Sequence, residues 1–124
     1  MTPSAARIGV LASGEGTNLQ ALLDTVHGHE AEVVAVASDQ PDARALARAA
    51  AAGVPTRTFP RGDFPGRAER DAAMADWLDA QDVGLVVLAG YMALLDAAFI
   101  ARYRDRIINV HPSLLPAFPG VRAM

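Results

Sequence analysis

An asparagine and a histidine stand two positions apart near the end of the chain, at Asn109 and His111. In an extended strand, residues i and i+2 point to the same side, so both side chains can face one pocket while Val110 turns into the core. An amide and a protonated imidazole can both donate hydrogen bonds to a developing negative oxygen. The imidazole can also act as a general acid near neutral pH. Either residue alone would be an ordinary strand-end side chain, but together they predict a site.

A second polar segment, Ser13 to Asn18, lies between a short apolar run and a helical pattern and contains two glycines. Glycine allows a tight turn, and the N–H groups at a helix start, with the positive end of the helix dipole, form a seat for phosphate. The competing interpretation is a plain turn capped by Thr17 or Asn18. If the phosphate seat exists, it lies at the same sheet edge as Asn109 and His111, because both segments follow strands.

A dinucleotide site is an alternative use of the same loop. Gly14 and Gly16 follow the first strand, and Asp39 lies near the end of the second, where an acidic residue could bind a ribose. Leu19, however, occupies the position of the third glycine in that fingerprint. The sequence therefore disfavours dinucleotide binding without excluding it.

Apolar runs alternate with helical patterns along the chain, which predicts a three-layer, Rossmann-like α/β fold with a parallel sheet flanked by helices. We expect one domain over residues 1–124. Because no helix follows the fifth strand, its edge is predicted to be uncovered, which would allow a homodimer. The predicted strands are Arg7 to Ala12, Val33 to Ala37, Thr56 to Phe59, Leu85 to Ala89 and Arg106 to Val110; the predicted helices begin near Thr17 and cover Ala43 to Ala52, Arg67 to Gln81 and Asp96 to Tyr103.

Composition excludes several classes of function. The 11 basic residues are all arginines and are scattered, which argues against nucleic acid as a partner. The lack of lysine excludes a Walker-type loop, and the lack of cysteine excludes thiol nucleophiles and cysteine-bound zinc. No apolar stretch is long enough to cross a membrane, so we expect a cytoplasmic protein. His27 and His29 lie in a polar loop at a helix end, and no metal site is expected there.

Three segments together resemble the glycinamide ribonucleotide formyltransferases, which are folate-dependent enzymes of purine synthesis. The segments are Ser13 to Gln20, Leu88 to Met92 and Asn109 to Pro116, and they occur in the same order in that family. The resemblance covers nearly the whole chain. The Asn109 to Ser113 part is shared with other folate formyltransferases and with formyltetrahydrofolate deformylase. Both therefore remain alternatives, whereas the glycine loop favours the purine enzyme.

The resemblance implies a role for individual residues. Gly16, Thr17 and Asn18 would hold the phosphate of the ribonucleotide, and Asn109 and His111 would be catalytic. Arg67 would contact the glutamate tail of the folate, although an ion pair with Asp71 one helical turn away is an alternative. The pterin pocket would be formed by Met92, Ala93, Leu94 and Leu95, with Asn109 also touching the folate. Ala93 stands where the family commonly has arginine, and core packing is the alternative role for the apolar members.

The resemblance also implies the reaction. The cosubstrate 10-formyltetrahydrofolate would donate its formyl group to the amine of glycinamide ribonucleotide, with no metal. In this family a catalytic aspartate follows the histidine well downstream, and the chain ends at Met124 before any such residue. We therefore expect a chain truncated before the C-terminal part of the family fold, with little transferase activity. A nucleotide-binding domain without transferase activity is the alternative of another class.

Overall fold

The sheet contains six strands in the order β3-β2-β1-β4-β5-β6. The computed structural model describes residues 6–110 and 121–123. The first five strands are parallel, and β6 lies antiparallel to β5. Their bounds are Ala6–Leu11 for β1, Ala31–Ser38 for β2, Thr56–Thr58 for β3, Leu85–Leu88 for β4, Ile107–Val110 for β5 and Val121–Ala123 for β6.

Helices cover both faces of the sheet because successive residues of each strand point to opposite sides. On β1, Val10 belongs to a buried cluster with Leu19 of one helix layer, and Leu11 belongs to a second cluster with Met74 of the other layer. The first layer contains α1 (Thr17–Thr25) and α2 (Arg44–Ala51), and the second contains α3 (Arg67–Ala80) and α4 (Ala97–Arg102).

The predicted three-layer α/β architecture is confirmed, and the predicted elements agree with the observed ones to within one or two residues at most ends. Two short elements were not predicted, a 3-10 helix at Arg61–Asp63 and the strand β6. The prediction of an uncovered edge at β5 is wrong, because Asn109 pairs with Arg122 and Val110 with Val121 across the β5–β6 ladder. A homodimer through an unpaired β5 edge therefore has no support in this sheet.

The chain reverses its direction of travel across the sheet between β1 and β4. From β1 it proceeds outward through β2 to β3 and then returns to β4 on the other side of β1. The segments that follow β1 and β4 diverge at such a point and leave a crevice, which is where ligands bind in open parallel sheets. The glycine loop follows β1, and residues 89–96 follow β4. The topology therefore brings two of the predicted site segments together.

Polar side chains connect α3 to the end of α4. The hydroxyl of Tyr103 donates to Oδ1 of Asp79 at 2.7 Å, and the guanidinium of Arg102 donates to Oδ2 of the same carboxylate. The hydrogen bond from Tyr103, followed by the bond and charge of Arg102, holds the pKa of Asp79 below its ordinary value of 3.8. Burial and the neighbouring carboxylate raise the pKa of the Tyr103 hydroxyl. The cluster stabilises the packing of α4 while Asp79 is ionised.

His27 has a structural role, and the structure also bears on the expectations about metal ions and membranes. Nδ1 of His27 accepts a hydrogen bond from the backbone N–H of Val33 at 2.9 Å, so this imidazole fixes the start of β2. Among the residues that the structure describes, no group of three or more histidine, aspartate or glutamate side chains could hold a metal ion. Within the same residues, every helix is too short or too polar to cross a lipid bilayer.

We predict that Tyr103→Phe lowers the free energy of unfolding at pH 7 by about 1 kcal/mol, the typical contribution of one hydrogen bond. The phenyl ring retains the packing against Phe99, whose centroid lies 5.2 Å away. Because the pKa of Asp79 is lowered in the folded state, its contribution is present above the ordinary value of 3.8 and is lost as the pH falls through the lowered pKa.

Denaturant unfolding of both proteins at pH 7 and at pH 3 measures this effect. The difference between wild type and Tyr103→Phe should shrink at the lower pH. A difference that is absent at pH 7, or one that is as large at pH 3 as at pH 7, would contradict the assignment.

Candidate functional site

The loop after β1 is held tightly against the start of α2. Gly16 has a φ of 80°, and a Cβ atom added to it would lie 2.6 Å from the Cα of Ala45. The N–H of Ala45 donates to the carbonyl of Gly14 at 3.1 Å, and Nε of Arg48 donates to the carbonyl of Glu15 at 2.7 Å. Both the left-handed backbone and the close approach of α2 therefore require glycine at position 16.

Gly16 is the N-cap residue immediately before α1, and no side chain caps this helix. The prediction that Thr17 or Asn18 caps it is wrong, because these two residues already lie inside the first turn. The first N–H groups of a helix have no acceptor within the helix, so they are available to an anion. Thr17 is exposed at this end and Asn18 is buried, with 7% of its surface accessible. Phosphate binding at this loop stays a prediction.

Ser13 joins the ends of three neighbouring strands. Its hydroxyl donates to Oδ1 of Asp39, after β2, at 2.6 Å and accepts from the N–H of Met92, after β4, at 2.7 Å. Its own N–H donates to the carbonyl of Gly90 at 3.3 Å. Sequence reasoning included Ser13 in the loop but gave it no role, because both partners of the hydroxyl come from other strands. By accepting this hydrogen bond, the Asp39 carboxylate helps to hold the end of β2 to the end of β1.

The segment after β4 presents apolar side chains to solvent. Met92 is 81% exposed and Leu94 is 70% exposed, so the alternative of core packing is wrong for both. Leu95 is half-buried and packs against the core cluster beneath α3, which agrees with core packing for that residue. An exposed pair of large apolar side chains beside a crevice is typical of a ligand-binding surface.

These side chains border a cavity of about 810 Å³, large enough for a ligand of several rings. Four of the predicted folate residues line it, namely Arg67, Met92, Ala93 and Leu94. Leu95, Asn109 and the phosphate-loop residues are not among the described residues that line it. The full lining is Asp39, Gln40, Pro41, Pro60, Arg61, Phe64, Pro65, Gly66, Arg67, Arg70, Met92, Ala93 and Leu94.

Arg67 is the first residue of α3 and is exposed at the cavity wall. The alternative ion pair between Arg67 and Asp71 is wrong, because Asp71 is 1% exposed and pairs instead with Arg70, whose Nε lies 2.9 Å from Oδ1. Arg61 also lines the cavity, so cationic side chains approach it from the 3-10 helix and from α3. The sequence gave no indication of Arg70, since arginine next to aspartate on a helix usually lies on a solvated face.

Asn109 lies at the end of β5, opposite Leu88 of β4, and is half-buried. The prediction that Val110 turns into the core is confirmed, because this residue is 3% exposed and belongs to the cluster beneath α1 and α2. Asn109 therefore faces the opposite side of the sheet from Val110. His111 lies outside the described residues, and its position beside Asn109 stays a prediction.

Tyr91 is a further polar residue of this region that sequence reasoning missed. Its hydroxyl is buried and makes no hydrogen bond within the part of the chain that the structure describes. Burial raises the pKa of this hydroxyl, with the charge of Arg70 acting in the opposite direction. Tyr91 is therefore a neutral phenol that packs against the core cluster containing Met74.

Comparison with known proteins shows to which family the chain belongs. The family described as formyl transferase matches residues 6–124. A phosphoribosylglycinamide formyltransferase of Mycobacterium tuberculosis is 45% identical over 124 residues, which are 98% of this chain and 57% of that protein. The protein of the same name from Haemophilus influenzae is 43% identical over 117 residues, covering 93% of this chain and 55% of the relative.

A solved structure supports the same relationship. The glycinamide ribonucleotide transformylase 1 of Symbiobacterium toebii superposes with a TM-score of 0.83 at 48% identity, covering 94% of this chain and 56% of that one. The chain thus spans little more than half the length of these relatives.

We predict that Gly16→Ala lowers the free energy of unfolding by about 2 kcal/mol, because the new Cβ meets the backbone of α2 and a left-handed φ is strained for alanine. Gly14→Ala is the matched control, since nothing lies within 4 Å of a Cβ at that position. Chemical denaturation of both variants measures the difference. Equal stabilities would contradict the proposed reason for glycine at position 16.

We also predict that Ser13→Ala loosens the segment after β4. Removing the hydroxyl leaves the N–H of Met92 without its acceptor and Oδ1 of Asp39 without its donor, at a cost of about 1 to 3 kcal/mol. Amide hydrogen exchange should show faster exchange at Met92 and unchanged exchange in the middle of β1. Unaltered protection of Met92 would show that Ser13 does not hold this segment.

Proposed function

Because the chain belongs to the formyl transferase family, we propose that it forms the substrate-binding part of a phosphoribosylglycinamide formyltransferase. Such an enzyme transfers a formyl group from 10-formyltetrahydrofolate to the amine of glycinamide ribonucleotide during purine synthesis. The observation that carries the proposal is the meeting of Arg67, Met92, Ala93 and Leu94 on one cavity beside the glycine loop. The sequence predicted the glycine loop from its own residues and the four cavity residues from the family resemblance.

The cavity is proposed to bind the folate. Met92 and Leu94 offer apolar surface to the pterin ring, and the backbone of the same segment can read the ring's polar edge. The exposed guanidinium of Arg67 suits a carboxylate of the glutamate tail, since arginine can donate two parallel hydrogen bonds to a carboxylate. With Ala93 in place of the family's common arginine, this segment reads the ligand through its backbone and its apolar neighbours.

The glycine loop is proposed to bind the phosphate of the ribonucleotide. Gly16, Thr17 and Asn18 supply uncapped N–H groups at the start of α1, and the helix dipole favours an anion there. Ser13 connects this loop to Asp39 on the cavity wall through a 2.6 Å hydrogen bond. The two proposed substrates would therefore bind on either side of the hydrogen bond between Ser13 and Asp39.

The proposed chemistry is a direct transfer. The amine nitrogen of the ribonucleotide forms a bond to the formyl carbon, the bond from that carbon to the folate nitrogen breaks, and the proton lost by the amine ends on the folate nitrogen. Asn109 would donate a hydrogen bond to the negative oxygen of the tetrahedral intermediate. His111 would stabilise the same oxygen and protonate the leaving nitrogen as a general acid.

Two other functions use parts of the same site. A formyltetrahydrofolate deformylase would share the folate cavity but would transfer the formyl group to water. A nucleotide-binding domain without transferase activity would share only the phosphate seat, and the exposed pair Met92 and Leu94 favours the folate enzyme over it. The proposed partners are small molecules, with no role for nucleic acid or membrane, and the proposed location is the cytoplasm.

We predict that Arg67→Gln weakens the binding of 10-formylfolate, an air-stable oxidised counterpart of the donor, by about tenfold, because a charge-assisted hydrogen bond is lost. Arg104→Gln is the matched control, since this exposed arginine follows α4 and does not line the cavity. Isothermal titration of the wild type and both variants measures the effect. Equal losses in the two variants would point to general charge attraction, and no loss in either would remove Arg67 from the site.

Turnover tests the function as a whole. Incubation with 10-formyltetrahydrofolate should release tetrahydrofolate only when glycinamide ribonucleotide is present and far more slowly than a full-length relative does, and His111→Asn should lower that rate further. Release without the ribonucleotide would favour the deformylase. Phosphate-ester binding without any folate binding would favour the nucleotide-binding domain.

A further inference from the structure

Two adjacent charged residues of α3 are buried. Arg70 is 4% exposed and Asp71 is 1% exposed. Burying a charge costs on the order of several kcal/mol. A buried ion pair therefore persists only when its remaining donors and acceptors are satisfied. The contacts that satisfy them therefore indicate what the pair holds in place.

Those contacts lie on the backbone that borders the cavity. Nε of Arg70 donates to Oδ1 of Asp71 at 2.9 Å, and Nη2 of the same guanidinium donates to the carbonyl of Leu94 at 3.0 Å. Oδ2 of Asp71 accepts from the N–H of Asp96 at 2.6 Å. Both ends of the ion pair are thus used to hold residues 94–96.

The other end of this segment is held by Ser13, which accepts from the N–H of Met92. Between the two attachments lie the exposed side chains of Met92 and Leu94. A free segment with two such apolar side chains would gain free energy by folding them into the neighbouring cavity. The attachments oppose such a movement by fixing the backbone of residues 92–96 at both ends.

We propose that Arg70 and Asp71 are positioning residues that hold residues 92–96 in the arrangement that binds the flat, hydrogen-bonding ring system of the formyl donor. This inference rests on the proposed function and assigns the pair to the donor, not to the phosphorylated acceptor. Ala93 contributes no polar side chain, so recognition of the ring depends on backbone groups. Such groups are selective only when their positions are fixed.

The test compares two ways of weakening the contact between α3 and the following segment. The double variant Arg70→Gln/Asp71→Asn removes both charges, which avoids leaving one of them buried without a partner. Arg70→Lys keeps a charge for Asp71 but has no planar fork to reach Leu94 as well. Arg102→Gln is the matched control, because it removes an ion pair to Asp79 at the other end of α3 and makes no contact with residues 92–96 among its described bonds.

Titration with 10-formylfolate and with glycinamide ribonucleotide gives the two affinities for each protein, and thermal unfolding gives its stability. We expect donor affinity to fall about tenfold in the double variant and by less in Arg70→Lys. The reason is that the apparent affinity is proportional to the fraction of protein in which residues 92–96 have the binding arrangement. Acceptor affinity should stay within about twofold, and Arg102→Gln should lower the unfolding temperature without lowering donor affinity.

Amide exchange provides the structural readout. The N–H of Asp96 should exchange faster in the double variant and at the wild-type rate in Arg102→Gln. If the folded Arg70 variants bind the donor as tightly as the wild type does, this inference is overturned but the proposed function is not. The same holds if donor affinity and acceptor affinity fall equally, or if Arg102→Gln loses as much donor affinity as the double variant. If the wild type binds no 10-formylfolate, the proposed donor site fails, and this inference fails with it.

Discussion

The site depends on the hydrogen bonds of one hydroxyl group at the point where the sheet reverses its order. Ser13 follows β1, and its side chain binds Asp39 after β2 and the backbone of Met92 after β4. Parallel strands bring these three segments to one edge, but parallel pairing alone would leave the loops free to diverge. The serine fixes their separation. The glycine loop and the cavity consequently lie on two sides of a single brace.

A second constraint is electrostatic and comes from beneath the sheet. The buried pair Arg70 and Asp71 is satisfied by backbone groups of the segment after β4, so α3 and that segment must keep one relative position. These contacts fix the backbone of the segment in which the side chains of Met92 and Leu94 are exposed. Exposed apolar side chains grouped in this way are typical of interaction surfaces.

The elements and the site differ in how far local sequence could predict them. Apolar periodicity is a local property, and it located the helices and the first five strands to within a few residues. The strand β6 was missed because three residues after a proline-rich stretch carry no periodic signal, and its pairing with β5 is antiparallel. The cap of α1 was misplaced because only the position of α2, with Ala45 against Gly16, shows that this glycine is the N-cap residue.

The sequence by itself determined the α/β architecture, the place of the glycine loop and the family resemblance, because each of these depends on residue types at short spacing. Through the family resemblance it also predicted Arg67 and the segment from Met92 to Leu95 as folate contacts. Only the tertiary structure decided that these residues share one cavity, that Ser13 binds Asp39 and that Asp71 pairs with Arg70 and not with Arg67. Such contacts join strands and helices far apart in the chain. Their partners are chosen by packing and burial, which no local pattern of residues records.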